Sequence, residues 1–203
     1  MFVNNLPQQN MKTAGGWTIV TVVFALILLS ILSRFVLVDW PNFKPIGAVA
    51  IFLGYWLRRV DVAALVVVLV MLASDWVIGF YDYRLMLSVY GAMVLACGIG
   101  YLLKGQICSG KSVVNELTST TAAALVASIL FFVITNSAVW MFGGFYSPNV
   151  EGWLTALAAG LPFFKFTCWG NLLFTPLLFA CLKLVESSAI LTNNSQRIAQ
   201  PSH

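Results

Sequence analysis

Residues 62–79 read VAALVVVLVMLASDWVIG. From Val62 to Ala73 no side chain is polar, so a helix built on this run has no face reserved for water. At 1.5 Å per residue the stretch reaches about 27 Å, close to the roughly 30 Å of a bilayer's hydrocarbon core. Asp75 stands near its end. A carboxylate at the centre of a bilayer costs about 2.5–3.5 kcal/mol on insertion scales, and intramembrane charges mark functional sites by default. The plainer reading of Asp75 is a helix-end residue near the interface, paired with Arg84 or Lys165.

The rest of the chain has the same character. Its 203 residues are 60% hydrophobic and 9% charged, against about 25% charged in soluble domains. That excludes a disordered chain, a coiled coil and a nucleic-acid-binding domain. The net charge of +4 is spread over isolated bases, with no run longer than Arg58-Arg59. Cys97, Cys108, Cys168 and Cys181 form no C-x-x-C pair, and the single histidine is His203, the last residue. Histidine-based metal centres and Ser-His or Cys-His nucleophiles are therefore not expected, and neither a metal nor a cofactor is assigned. No G-x-x-x-x-G-K-[ST] motif is present.

Hydropathy and breakers divide the chain into six expected membrane spans at about 17–33, 46–58, 62–79, 85–103, 118–142 and 166–184. The second is short, about 18 Å for twelve residues, and must borrow length or lie against protein. Between the first two, Asp39-Trp40-Pro41-Asn42-Phe43-Lys44-Pro45 reads as an ordered loop, because each proline holds its predecessor extended. Residues 153–184 are too long for one straight span. Pro162 and Lys165 interrupt them, which predicts a half-helix at 153–161, a break, and then the sixth span. Residues 186–203 read as a polar cytoplasmic tail, and 1–185 as a single all-α transmembrane domain. Ala50-x-x-x-Gly54, Ala96-x-x-x-Gly100, Ala123-x-x-x-Ala127 and Ala156-x-x-x-Gly160 permit close helix approach.

With the N-terminus inside, six alternating spans place Lys12, Arg58, Arg59, Lys104, Lys111, Lys183 and Arg197 on the inner side, and Arg34, Lys44, Arg84 and Lys165 on the outer side. Seven bases against four support cytoplasmic termini. The outer side then collects polar residues with aromatics, the makeup of a ligand site. The first loop supplies Trp40, Asn42 and Lys44. The third-to-fourth connection supplies Asp75, Trp76, Tyr81 and Arg84, and the fifth-to-sixth region Asn136, Trp140, Lys165 and Asn171. The plainer alternatives are an interfacial aromatic belt for the tryptophans, a structural ion pair for Lys165, and interhelical bonding for Asn136.

Three stretches carry a resemblance. Trp40-Pro41-Asn42-Phe43-Lys44-Pro45-Ile46-Gly47-Ala48-Val49-Ala50-Ile51-Phe52 resembles the P-N-F-x-P-[IV]-x-A-x-A-[LI]-F pattern of a little-characterised group of six-helix bacterial membrane proteins. Ser74-Asp75-Trp76-Val77-Ile78-Gly79-Phe80 and Leu161-Pro162-Phe163-Phe164-Lys165 resemble its other two signatures. That group is similar to the substrate-binding (S) components of energy-coupling-factor vitamin transporters, including the solitary cobalamin-binding type. The resemblance implies a small bundle that captures a vitamin-sized molecule on its outer face, docked on a transmembrane coupling subunit driven by ATPases. Many S components carry A-x-x-x-A in the first helix, whereas residues 17–33 hold only Ala25.

The expectation is thus a non-enzymatic uptake protein of the bacterial inner membrane, with the bilayer and a small molecule as its partners. One rival is a structural or assembly protein of the envelope, which needs no outer pocket. Another is an intramembrane enzyme using Asp75 and Asp82, disfavoured because acid–base work needs positioned partners and no paired-aspartate motif is present.

Overall fold

The computed structural model describes residues 16–36, 45–107 and 113–199. They form six helices: α1 Gly16–Val36, α2 Ile46–Leu57, α3 Val60–Ile78, α4 Tyr83–Ile107, α5 Val113–Phe142 and α6 Val150–Ala199. Four of these, α3 to α6, are long and apolar enough to cross a membrane. The protein is an all-α polytopic membrane protein.

Local chemistry sets the helix ends. α2 follows Pro45, whose carbonyl accepts from Val49 N–H at 2.8 Å, and it stops at Arg58 in the left-handed region, φ 58°. A left-handed residue is a common helix terminator, though usually glycine. Gly79, φ 113°, ends α3. Asp82 starts α4 by accepting the Arg84 N–H on its carboxylate at 2.8 Å. Asn149 does the same for α6 through Gly152 N–H at 2.8 Å, the expected use of Asx side chains at helix starts.

The short second span is real, but its placement is unusual. α2 packs against every other helix and is buried without interruption from Gly47 to Gly54. Its closest neighbour is α4. A Cβ on Gly54 would overlap the Cys97 carbonyl oxygen, and a Cβ on Gly100 would overlap that of Ile51. The contact is reciprocal, each glycine lying against the carbonyl three residues before the other. Such approach lets Cα–H groups meet carbonyls at about 0.5–1 kcal/mol each. Ala50 and Ala96 flank it, both buried, so two of the four small-residue spacings define this crossing. A third, on α6, places Gly160 against Asn136 of α5. Below the crossing, Phe179 of α6 meets Phe52 edge-on at 5.6 Å and Tyr55 at 4.8 Å.

The expected half-helix at 153–161 and the break at Pro162 are not present. α6 runs unbroken from Val150 to Ala199 with Pro162 and Pro176 inside it. Each proline removes one backbone donor, but a helix held along α5 keeps its remaining bonds and tolerates the loss. The excess length that suggested a break is taken up by extension: residues 150–184 alone span about 52 Å. The supposed polar tail from 186 likewise continues the helix as far as Ala199.

Candidate functional site

Two short connections, Arg58-Arg59 and residues 79–82, reverse the chain between α2 and α4, so these two helices run in the same direction. The end bearing residues 79–82 and 143–149 is called upper here. Counting 1.5 Å per residue from the glycine crossing, Gly47 lies about 8 Å and Tyr90 about 13 Å toward the upper end. Helix α2 therefore begins level with the middle of α4, deep within the bundle. Pro45, Gly47 and Ala48 are all buried there, and no side chain caps the helix start among the described residues. A helix beginning leaves backbone N–H groups without intrahelical acceptors and carries about half a positive charge.

Two of the sequence-selected residues are buried near this level. Asp75 is 1% exposed, and Tyr90 donates its hydroxyl to Asp75 Oδ2 at 2.7 Å. Beside it Ser74, also buried, returns its hydroxyl to Met71 O at 2.8 Å. Asn171 is 4% exposed; its Nδ2 donates to Ser128 Oγ at 3.0 Å. Its amide oxygen lies against Gly47, where an added Cβ would approach to 2.5 Å. A methyl group at 47 would have to displace the Asn171 amide, because the α2 start and that amide share the space it would fill.

The other sequence-selected residues are placed differently. Trp76, next to Asp75 but about 100° around the helix, is 78% exposed and meets the Phe80 edge at 6.1 Å. Tyr81 is exposed. Arg84 donates from Nε to Tyr83 OH at 3.2 Å, and its guanidinium lies 5.5 Å from the Tyr83 and Phe142 ring centroids. Lys165 is exposed, with its ammonium 5.0 Å from the Phe166 ring. Asn136 donates to Phe132 O at 2.8 Å, and Trp140 donates to Ser147 O at 2.9 Å, fixing the turn between α5 and α6. Trp40, Asn42 and Lys44 lie outside the described residues.

Sequence reading missed Tyr90 and Ser128; Ser137, next to Asn136, bonds the neighbouring helix by accepting from Trp153 Nε1 at 2.8 Å. One signal was available: a tyrosine hydroxyl inside an apolar run needs a partner, and Asp75 was the polar group already noted. Nothing in the sequence pairs Ser128 with Asn171, because that contact joins residues 43 positions apart on two different helices.

The fold and this buried polar level define a polytopic membrane protein with one short, buried helix among longer ones. The chain belongs to a family of unknown function, DUF6580, whose family model matches residues 16–195. Comparison with curated proteins and with solved structures finds no match.

Proposed function

We propose that this chain is a non-enzymatic small-molecule binding and uptake protein of the bacterial inner membrane, similar in role to the S components of vitamin transporters. The observation that carries the reading is the start of α2. A helix that begins in mid-bundle against a buried amide, with a buried carboxylate held by Tyr90 nearer the upper end, brings polar groups to a depth where hydrocarbon otherwise excludes them. Transporter folds use helix starts at such depth to meet the polar groups of their cargo.

In this reading the upper end faces outward, as the distribution of bases favours. Asp75 and Asn171 orient the ligand. Trp40, Asn42 and Lys44, within five residues of Pro45 in the sequence, are the further candidates for ligand contact. Trp76, Tyr81, Arg84, Asn136, Trp140 and Lys165 shape the approach. Energy comes from a separate coupling subunit with its ATPases. The extension of α6 to Ala199 favours a second reading, an envelope assembly protein that docks through this helix and holds no ligand.

Mass spectrometry of small molecules co-purifying with the detergent-extracted protein separates the two. Capture predicts one defined metabolite, lost in Asp75→Ala. A folded protein that retains nothing, and whose melting temperature no member of a metabolite panel raises, would overturn capture in favour of assembly.

A further inference from the structure

Helices α5 and α6 pack along a shared length, and their facing sides repeat every four residues. Glu116, Thr120 and Ser128 line one side, and Asn171, Thr175 and Lys183 the other. Thr120, Ser128, Asn171 and Thr175 are each buried to 96% or more. Positions four apart share a helix face, so these residues form one seam, broken by Ala124 on α5 and Phe179 on α6. It runs from the Asn171 amide beside the α2 start down to an ion pair, Lys183 with Glu116, at the lower end.

Part of the seam is explained by helix cohesion. Ser128 and Thr120 bond to carbonyls of their own helix, and Asn171 bonds to Ser128. Thr175 is different: it is fully buried and its Oγ1 has no hydrogen-bond partner. A buried hydroxyl without a partner costs about 1–3 kcal/mol, whereas valine would fill the same volume without that penalty. Packing alone gives no reason for a threonine there. Four residues below it stands Phe179, buried against Phe52 and Tyr55 of α2, with Leu178 and Leu182 packed alongside. Pro176 cannot donate to the Leu172 carbonyl, which weakens the α6 ladder at this point.

Building on the uptake reading above, we propose that the α5–α6 seam is the lower half of the ligand's path. It opens by parting of the two helices and is held shut by the Glu116–Lys183 ion pair with Phe179 as the plug. Thr175 meets the polar ligand or its water when the seam opens, and it is unsatisfied in the closed state seen here. The pair bridges the two helices at their lower end, with Glu116 only 15% and Lys183 43% exposed, so it is shielded enough to act as a latch.

The test uses a cysteine-free full-length chain in vesicles and a charged, membrane-impermeant methanethiosulfonate reagent. Thr175→Cys should react slowly with the latch intact and roughly tenfold faster with Glu116→Gln, which leaves Lys183 uncompensated. Exchanging the charges, Glu116→Lys with Lys183→Glu, should restore the slow rate. Leu173→Cys, on an exposed face of α6, serves as the control and should not respond to the latch. Equal rates at position 175 in all backgrounds would overturn the proposal. So would acceleration at 173 and 175 together with a fallen melting temperature, which is general loosening. Co-purification of metabolite with the cysteine-free parent chain, Thr175 intact, reports on capture separately: ligand retained beside an unresponsive seam sinks the path and leaves capture standing. No ligand beside a latch-dependent seam sinks capture and with it the path's cargo.

Discussion

Helices α2 and α6 make an instructive pair. α2 has 12 residues, begins after a proline, and is buried from Gly47 to Gly54. α6 has 50 residues and carries two prolines within it, with Leu161, Phe163 and Trp169 exposed. Sequence patterning suggested that the interrupted element would precede the last span. The structure runs α6 straight through and leaves α2 as the short element. The difference teaches what a proline costs in each setting. Ahead of a helix, Pro45 coincides with the start and forfeits nothing, because the first N–H groups have no intrahelical acceptor anyway. Inside α6, Pro162 forfeits one bond among many, and the packing against α5 outweighs it.

Three substitutions bear on this contrast, from the largest effect to the smallest. Gly54→Leu attacks the reason α2 can be so short and so buried. Its side chain has no room before the Cys97 carbonyl, so α2 and α4 must separate. We expect a loss of about 3 kcal/mol or more, read as aggregation on size-exclusion chromatography in mild detergent. A monodisperse Gly54→Leu protein with a normal melting temperature would mean that the crossing is not what seats α2.

Tyr90→Phe removes the hydroxyl from the Asp75 pair while keeping the ring. Leaving a buried carboxylate short of a donor costs about 1–3 kcal/mol, so the melting temperature in detergent should fall by several degrees. Adding Asp75→Leu should recover part of that loss, because the buried carboxylate is then gone. If Tyr90→Phe and wild type melt together, the pair contributes no stability at this depth.

Pro162→Ala is the smallest. It returns a backbone donor to the middle of α6 and should change stability by less than about 1 kcal/mol, in the stabilising direction. Pronounced destabilisation would show that the proline shapes α6 after all and would revive an interrupted last helix.

Much of the fold was legible because lipid imposes one rule on every residue: apolar runs of sufficient length become helices, since no other backbone arrangement of a single segment satisfies its own hydrogen bonds there. The runs beginning near residues 62, 85 and 118 became α3, α4 and α5 within a few residues. Ala50-x-x-x-Gly54 and Ala96-x-x-x-Gly100 were recognisable as contact surfaces, though not as each other's partner. The site was less legible. Asp75 stood out because its surroundings are apolar, but adjacent Asp75 and Trp76 were grouped together by sequence and point to opposite environments. Lys165 and Asn171 were likewise joined, and one faces out while the other is buried.

What the amino-acid sequence determined by itself is the class: a helical chain that must live in hydrocarbon, with its helices bounded by Pro45, Gly79, Asp82 and Asn149. Those features depend on neighbours within a few positions and on the solvent, both of which a linear reading contains. The short second span was legible too; only the tertiary structure decided that it is buried against every other helix, and which polar groups lie near its start. Tyr90 meeting Asp75, Ser128 meeting Asn171, and Gly47 yielding space to that amide all depend on how separate helices are stacked and rotated. A pattern of 3.6-residue periods says which face a side chain is on, but not which partner that face will meet.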